Sequence, residues 1–194
     1  MTDTRTQILE KSYQALRLHG FQGTRADKVI LDLGITKGAL YHYFPSKLDL
    51  GYAIVDELIM PRYTRLWLSL DQFEGNPADG IIAQLRYLIS MSSEEEVRLG
   101  CPLNNLMQEM APLDQGFQQR LQHIVNVQRE AIGSALKRGQ QAGQIRQEIE
   151  TDPSAIFILS SLEGSYSIAK ALQQREIFET SLQTLIQFVQ ALKT

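Results

Sequence analysis

The stretch from Thr24 to Leu50, TRADKVILDLGITKGALYHYFPSKLDL, constrains the fold more than any other part of the chain. Thr24 and Asp27 have capping-box spacing, and Val29, Ile30 and Leu33 give the apolar side of a short helix behind them. Gly34 turns the chain and Ile35 is placed to plug the corner. Thr36 is a good N-cap for a second short helix, Lys37 to about Phe44, which Pro45 closes. Ser46 and Asp49 repeat the cap spacing at the start of a longer helix. Two short helices joined by a glycine turn are the layout of a helix-turn-helix, whose second helix lies in the DNA major groove. The same layout also occurs in helical proteins that never meet DNA, where Tyr41, Tyr43 and Phe44 would simply pack.

Helical periods continue from end to end, so the expected class is all-α. A first helix is predicted from about Arg5 to His19, with Thr4 and Gln7 at cap spacing and Gly20 ending it. A long helix is predicted from Ser46 towards Leu70, bent or broken at Pro61. Gly75 to Asp79 reads as a loop, Gly80 to about Ser92 as a helix, and Ser93 to Arg98 as an exposed charged run. Helices follow after Cys101-Pro102, from about Gln115 to Gln141, behind Asp152-Pro153, and through Phe178 to Leu192. The expected division is a DNA-binding head over residues 1–50 and a helical body over 51–194.

Charge supports that division modestly. The net charge is −3, yet residues 1–52 hold seven Lys/Arg against five Asp/Glu, and the remainder holds twelve against seventeen. A basic head on an acidic body allows a local DNA-binding face. The longest uncharged run, Thr180 to Leu192, has 13 residues, too few to span a bilayer. The N-terminus lacks the basic start and apolar run of a signal peptide, so a cytoplasmic protein is expected. Cys101 is the single cysteine, and His19, His42 and His123 are far apart, so no disulfide within the chain is possible and no metal or other cofactor is expected. No phosphate-cradling glycine loop or nucleophile–base constellation points to an enzyme.

Within the stretch, Lys37, Gly38 and Ala39 give a slim leading turn that can approach base edges. Lys37 and His42 are the candidate base readers. Thr36, Tyr41 and Lys47 are the candidate phosphate contacts, with Arg25 and Lys28 beside them. The order Thr24, Gly34-Ile35-Thr36, Lys37-Gly38-Ala39-Leu40-Tyr41, Phe44-Pro45-Ser46-Lys47 resembles the DNA-binding signature of the TetR family of transcriptional regulators. The resemblance covers about the first quarter of the chain. It departs at Ile30-Leu31, where the family usually has a small residue followed by a polar one. Carried over residue by residue, it implies DNA contacts at Arg25, Thr36, Lys37, Gly38, Tyr41, His42 and Lys47.

The resemblance also implies a homodimer through the last two helices, a palindromic operator, repression rather than activation, and release by a small-molecule effector. Ala155 to Leu159 is apolar nearly all round, with small residues Ser160, Ser161, Gly164 and Ser165 after it, as a dimer interface or a monomer core would require. Candidate effector contacts are Tyr63, Trp67, Tyr87, Met91, Leu103, Met107, Met110, Phe117 and Tyr166. Cys101 near a helix start offers an alternative, control by thiol modification, since helix N-termini lower thiol pKa. A protein partner in place of a small molecule is the remaining alternative.

Overall fold

A computed structural model describes residues 3–194. Apart from one isolated antiparallel bridge between Ile145 and Lys193, its regular structure is helical. The helices are α1 (Thr4–Gly23), α2 (Ala26–Leu33), α3 (Lys37–Tyr43), α4 (Lys47–Ile54), α5 (Met60–Leu68), α6 (Pro77–Met91), α7 (Glu94–Leu99), α8 (Pro102–Met110), α9 (Gln115–Gln141), α10 (Thr151–Leu172) and α11 (Arg175–Gln190). A π turn, Val55–Ile59, joins α4 to α5, and a 3₁₀ turn, Ser69–Gln72, follows α5. Among the described residues no helix is long and apolar enough to cross a membrane.

The chain forms two compact units. One holds the chain up to Pro61 together with Asn105–Gln122, and the other holds Arg62–Asn104 and His123–Thr194. Residues 105–122, expected within the body, therefore belong with the head. Their side chains explain it. Phe117 meets Phe21 edge-on at 4.8 Å and Tyr52 at 5.2 Å. Asp114 Oδ1 accepts from Tyr52 O–H and from Phe117 N–H, both at 2.8 Å. Arg120 Nε donates to Asp56 at 2.9 Å. Gly51 lets the rings close in, because a Cβ there would lie 2.7 Å from Phe117 Cζ. In the second unit Trp67, Leu85, Ile132, Ile158, Phe178 and Leu182 are among the side chains forming one buried core.

Several caps differ from expectation for local reasons. Asp3, not Thr4, caps α1, accepting from Thr6 N–H at 2.9 Å. Gly20 (φ 73°, ψ 175°) breaks α1 as expected, but one more turn follows it. Thr24 does not cap α2. Its hydroxyl donates back to Gly20 O at 2.7 Å, and Arg25 takes the N-cap position with no side-chain bond. Asn76 starts α6 three residues earlier than predicted, and Ser93 with Glu96 forms a capping box that turns the charged run into α7. Asp152 lies inside α10 and accepts from Arg129 at 2.7 Å instead of capping. The irregularity expected at Pro61 appears one turn earlier, as the π turn 55–59. A proline lacks the N–H that would continue the α pattern, and a π bulge is one way a helix absorbs the disruption.

Candidate nucleic-acid interface and effector cavity

In the first unit, α3 is fixed at both ends. Thr36 Oγ1 accepts from Ala39 N–H at 3.1 Å, and Phe44 N–H donates to Leu40 O at 3.0 Å. Leu40 and Phe44 are buried, 1% and 2% exposed, and they orient the helix. Thr36, Lys37, Gly38 and His42 are left exposed, and Tyr41 half-buried. Lys37 Nζ lies 5.8 Å from the centre of the Tyr41 ring, so the cation and the phenol share one patch. Arg25 is exposed at the start of α2. Tyr43 is 40% exposed and meets His42 edge-on at 5.2 Å. So short a helix turns inward only along the Leu40–Phe44 line.

Lys47 is not a free cation. Its Nζ donates to Gln22 O at 3.0 Å and stands 4.9 Å from the centre of the Phe21 ring. An ammonium has three donors, so a phosphate can still be met by the others. Gly38 is informative for the opposite reason. A Cβ there would find nothing nearer than Thr36 Oγ1 at 3.9 Å. The fold does not require glycine at this position, and glycine inside a helix costs about 0.5–1 kcal/mol relative to alanine. What the missing side chain provides is a low outer surface at the leading turn of α3.

The second unit contains a cavity of about 610 Å³. Tyr63, Leu66 and Trp67 of α5, Tyr87, Leu88 and Met91 of α6, Gln128 of α9, and Leu162, Glu163 and Tyr166 of α10 are among its walls. Trp67 is 1% exposed and forms a deep wall, whereas Tyr87 and Met91, 51% and 61% exposed, lie towards solvent. Tyr166 O–H shares a 2.8 Å hydrogen bond with Ser92 Oγ, and burial pushes its pKa above the usual phenol range. Gln128 Nε2 donates to Tyr63 O at 3.0 Å, fixing that backbone. Arg62 and Arg65 stand at the same cavity, with Glu96 3.6 Å from Arg62.

Residues 8–54 match the family described as bacterial regulatory proteins, tetR family, and residues 77–185 match the tetracyclin repressor-like C-terminal domain. The chain belongs to the TetR family. A transcriptional regulator from the lacX 3′ region of Lactococcus lactis is 23% identical over 95% of this chain and 92% of its own length. The transcriptional repressor DhaR of a Mycobacterium species is 23% identical over 90% and 86%. The crystal structure of Escherichia coli NemR in its reduced form has the same fold, with a TM-score of 0.84 at 23% identity, covering 100% of this chain and 98% of that one. This TetR-family protein is a DNA-binding transcriptional regulator.

Five of the nine expected effector contacts of this TetR-family regulator line the cavity, namely Tyr63, Trp67, Tyr87, Met91 and Tyr166. Leu103, Met107, Met110 and Phe117 do not. Leu103 is fully buried within packing, and Met110 and Phe117 belong to the first unit, where Phe117 packs on Phe21 and Tyr52. Met107 is half-buried in that same unit. Sequence reasoning missed Glu163, although a signal was present: it is the only charged residue between Asp152 and Lys170. Its Oε1 accepts from Cys101 Sγ at 3.6 Å. Cys101 directly precedes α8, yet its thiol is not acidified. Burial first, and the Glu163 carboxyl second, push its pKa well up. The helix start is outweighed by desolvation.

Proposed function

We propose that this regulator is a repressor that binds a palindromic operator as a homodimer through α3, and that a small molecule in the second unit's cavity releases it. The observation that carries the DNA reading is Gly38. The fold leaves room for a side chain there, and the residue instead keeps the exposed face of Lys37, Tyr41 and His42 low enough for base edges. Lys37 and His42 read bases, while Thr36, Tyr41, Arg25 and Lys47 meet phosphates. The outer face of α10 supports dimerisation. Phe157, Ile168 and Leu172 are 50%, 55% and 52% exposed, lie on one helical side, and flank the exposed Gly164. So much apolar surface on one helix fits a second copy of this chain better than water.

Release follows if the effector binds the DNA-competent and DNA-incompetent conformations with different affinities. Trp67 and Tyr63 of the cavity wall continue covalently through Pro61 and the π turn 55–59 into α4, which begins beside α3. A shift at the cavity wall would travel through that segment. Pro61→Ala should alter induction while leaving the fold intact. Control through Cys101 instead would need a reactive thiolate, which the buried sulfur and the adjacent carboxyl disfavour.

The deciding experiment is selection of binding sites from random duplex DNA with the full chain. The enriched sequence should be a near-palindrome with half-sites about one helical turn apart or a multiple of it. Enrichment of a single unrepeated site, or none, would overturn the dimeric reading.

A further inference from the structure

Beyond the presence of an effector cavity, on which this inference rests, its chemistry points to a class of ligand. Glu163 lines the cavity from α10. Its side chain is half-buried as a whole, but Oε2 is sealed from solvent and has no hydrogen-bond partner among the described residues. A carboxylate oxygen that has lost water and gained nothing is costly. The other oxygen has only the weak thiol donor of Cys101. In consequence burial raises the carboxyl to about 7. Three aromatic residues, Tyr63, Trp67 and Tyr166, line the same cavity.

We infer that the cavity takes an organic cation with at least one N–H donor and a flat apolar body, and that Glu163 selects it by ion pairing. Once the carboxyl turns to bring an oxygen from its sealed position into the cavity, the ligand's ammonium or amidinium supplies the donor that Oε2 lacks. Rotation about the terminal torsion of a glutamate is soft, so either oxygen can turn to meet it. The aromatic walls add favourable quadrupole contact with a cation and cover the body. The two arginines do not reverse the balance. Arg62 is answered by Glu96, and Arg65 is exposed at the rim.

The titratable and charged groups that face Glu163 or share its cavity are Cys101, Tyr63, Arg62, Arg65, Tyr87, Glu96 and Tyr166. Cys101 and Tyr166 are held neutral by burial. The carboxyl of Glu163, raised to about 7, titrates near neutrality. A cation favours its ionised form, so affinity should fall as the pH drops below about 7.

Titration calorimetry on the full chain reports occupancy of the cavity without interference from the probes' own absorption and emission. Three probes of one shape separate the cases: 1-naphthylmethylammonium, 1-naphthylmethanol and 1-naphthoate, titrated against the full chain at pH 8 and pH 5.5. The ammonium should bind at least about tenfold more tightly than the alcohol at pH 8, as a charge-assisted bond implies. That preference should shrink at pH 5.5 and disappear in Glu163→Gln. Equal binding of ammonium and alcohol, or preference for the naphthoate, would overturn the cation reading and leave the cavity as an effector site. Absence of binding by all three would overturn both. The wild-type comparison stands even if the variant folds poorly.

Discussion

Glu109 grips the backbone of Phe21 where the first helix breaks. Its Oε2 accepts from Phe21 N–H and its Oε1 from Gln22 N–H, each at 2.8 Å. Gly20, in a left-handed conformation (φ 73°), lies directly against this carboxylate, leaving no room for a Cβ. The break leaves two amides without intrahelical partners, and one α8 side chain satisfies both. Glu109→Ala should lower stability by about 1.5–3 kcal/mol, the range for hydrogen bonds to a charged group. Urea denaturation would read the loss, and operator affinity should fall with it. An unchanged midpoint would mean that water replaces the carboxylate at no cost.

Gly38→Ala should produce two opposite effects. The added methyl has space within the fold and removes a helical glycine, so the protein should gain about 0.5–1 kcal/mol. Operator affinity should drop, because the methyl projects from the exposed leading turn. A variant more stable and equally tight on DNA would remove Gly38 from the interface.

Lys37→Ala and Lys47→Ala should differ in kind. Loss of Lys47 should weaken operator and random DNA alike and reduce the slope of log K against log salt by about one. Loss of Lys37 should also relax sequence preference. Salt-dependent gel shifts on both DNAs separate the two, and parallel behaviour of the variants would contradict the division between reader and positioner.

The pH dependence of stability should carry the mark of Glu163. Its folded pKa, about 7, lies above the usual carboxyl value. The folded state therefore binds the proton more tightly, and stability from this group is present at low pH and lost as pH rises towards 7. Glu163→Gln removes the ionisation and should be more stable than wild type at pH 8 by on the order of 1–3 kcal/mol. At pH 4, below the unfolded carboxyl value, the difference should nearly vanish. Thermal melts at both values test it, and a destabilised variant at pH 8 would refute the raised pKa.

The exposed face of α10 should govern assembly. Phe157→Glu together with Ile168→Glu buries no new group in the single chain, since both side chains are half-exposed there. Sedimentation should show the double variant as a monomer where the parent is a dimer. Persistence of the dimer would move the interface elsewhere.

What could be read from the sequence was what is local. Thr36 and Ser46 cap as expected because a hydroxyl three residues before a free amide has an obvious use. Thr24 broke the rule by a choice equally local, bonding back to Gly20 O, and nothing in its neighbours signals which option wins. The cavity was only half legible. Helical period places Leu103 and Trp67 inside alike, and both are almost fully buried. Whether an inward side chain meets another side chain or an open space depends on neighbours distant in sequence. Glu163 is the instructive omission, since a lone charge in an apolar helix needs either a partner or a purpose.

Gly51 and Phe117 bear on how separable the DNA-reading part is. A fragment ending after Ile54 would keep every proposed DNA contact and lose the ring that closes over Gly51 and Phe21. It would also lose Asp114 and Glu109, which hold Tyr52 and the end of the first helix. The reading head is not a detachable cassette. Grafted alone onto another protein, it would arrive with one wall missing, and a transfer of this head must carry residues 105–122 along.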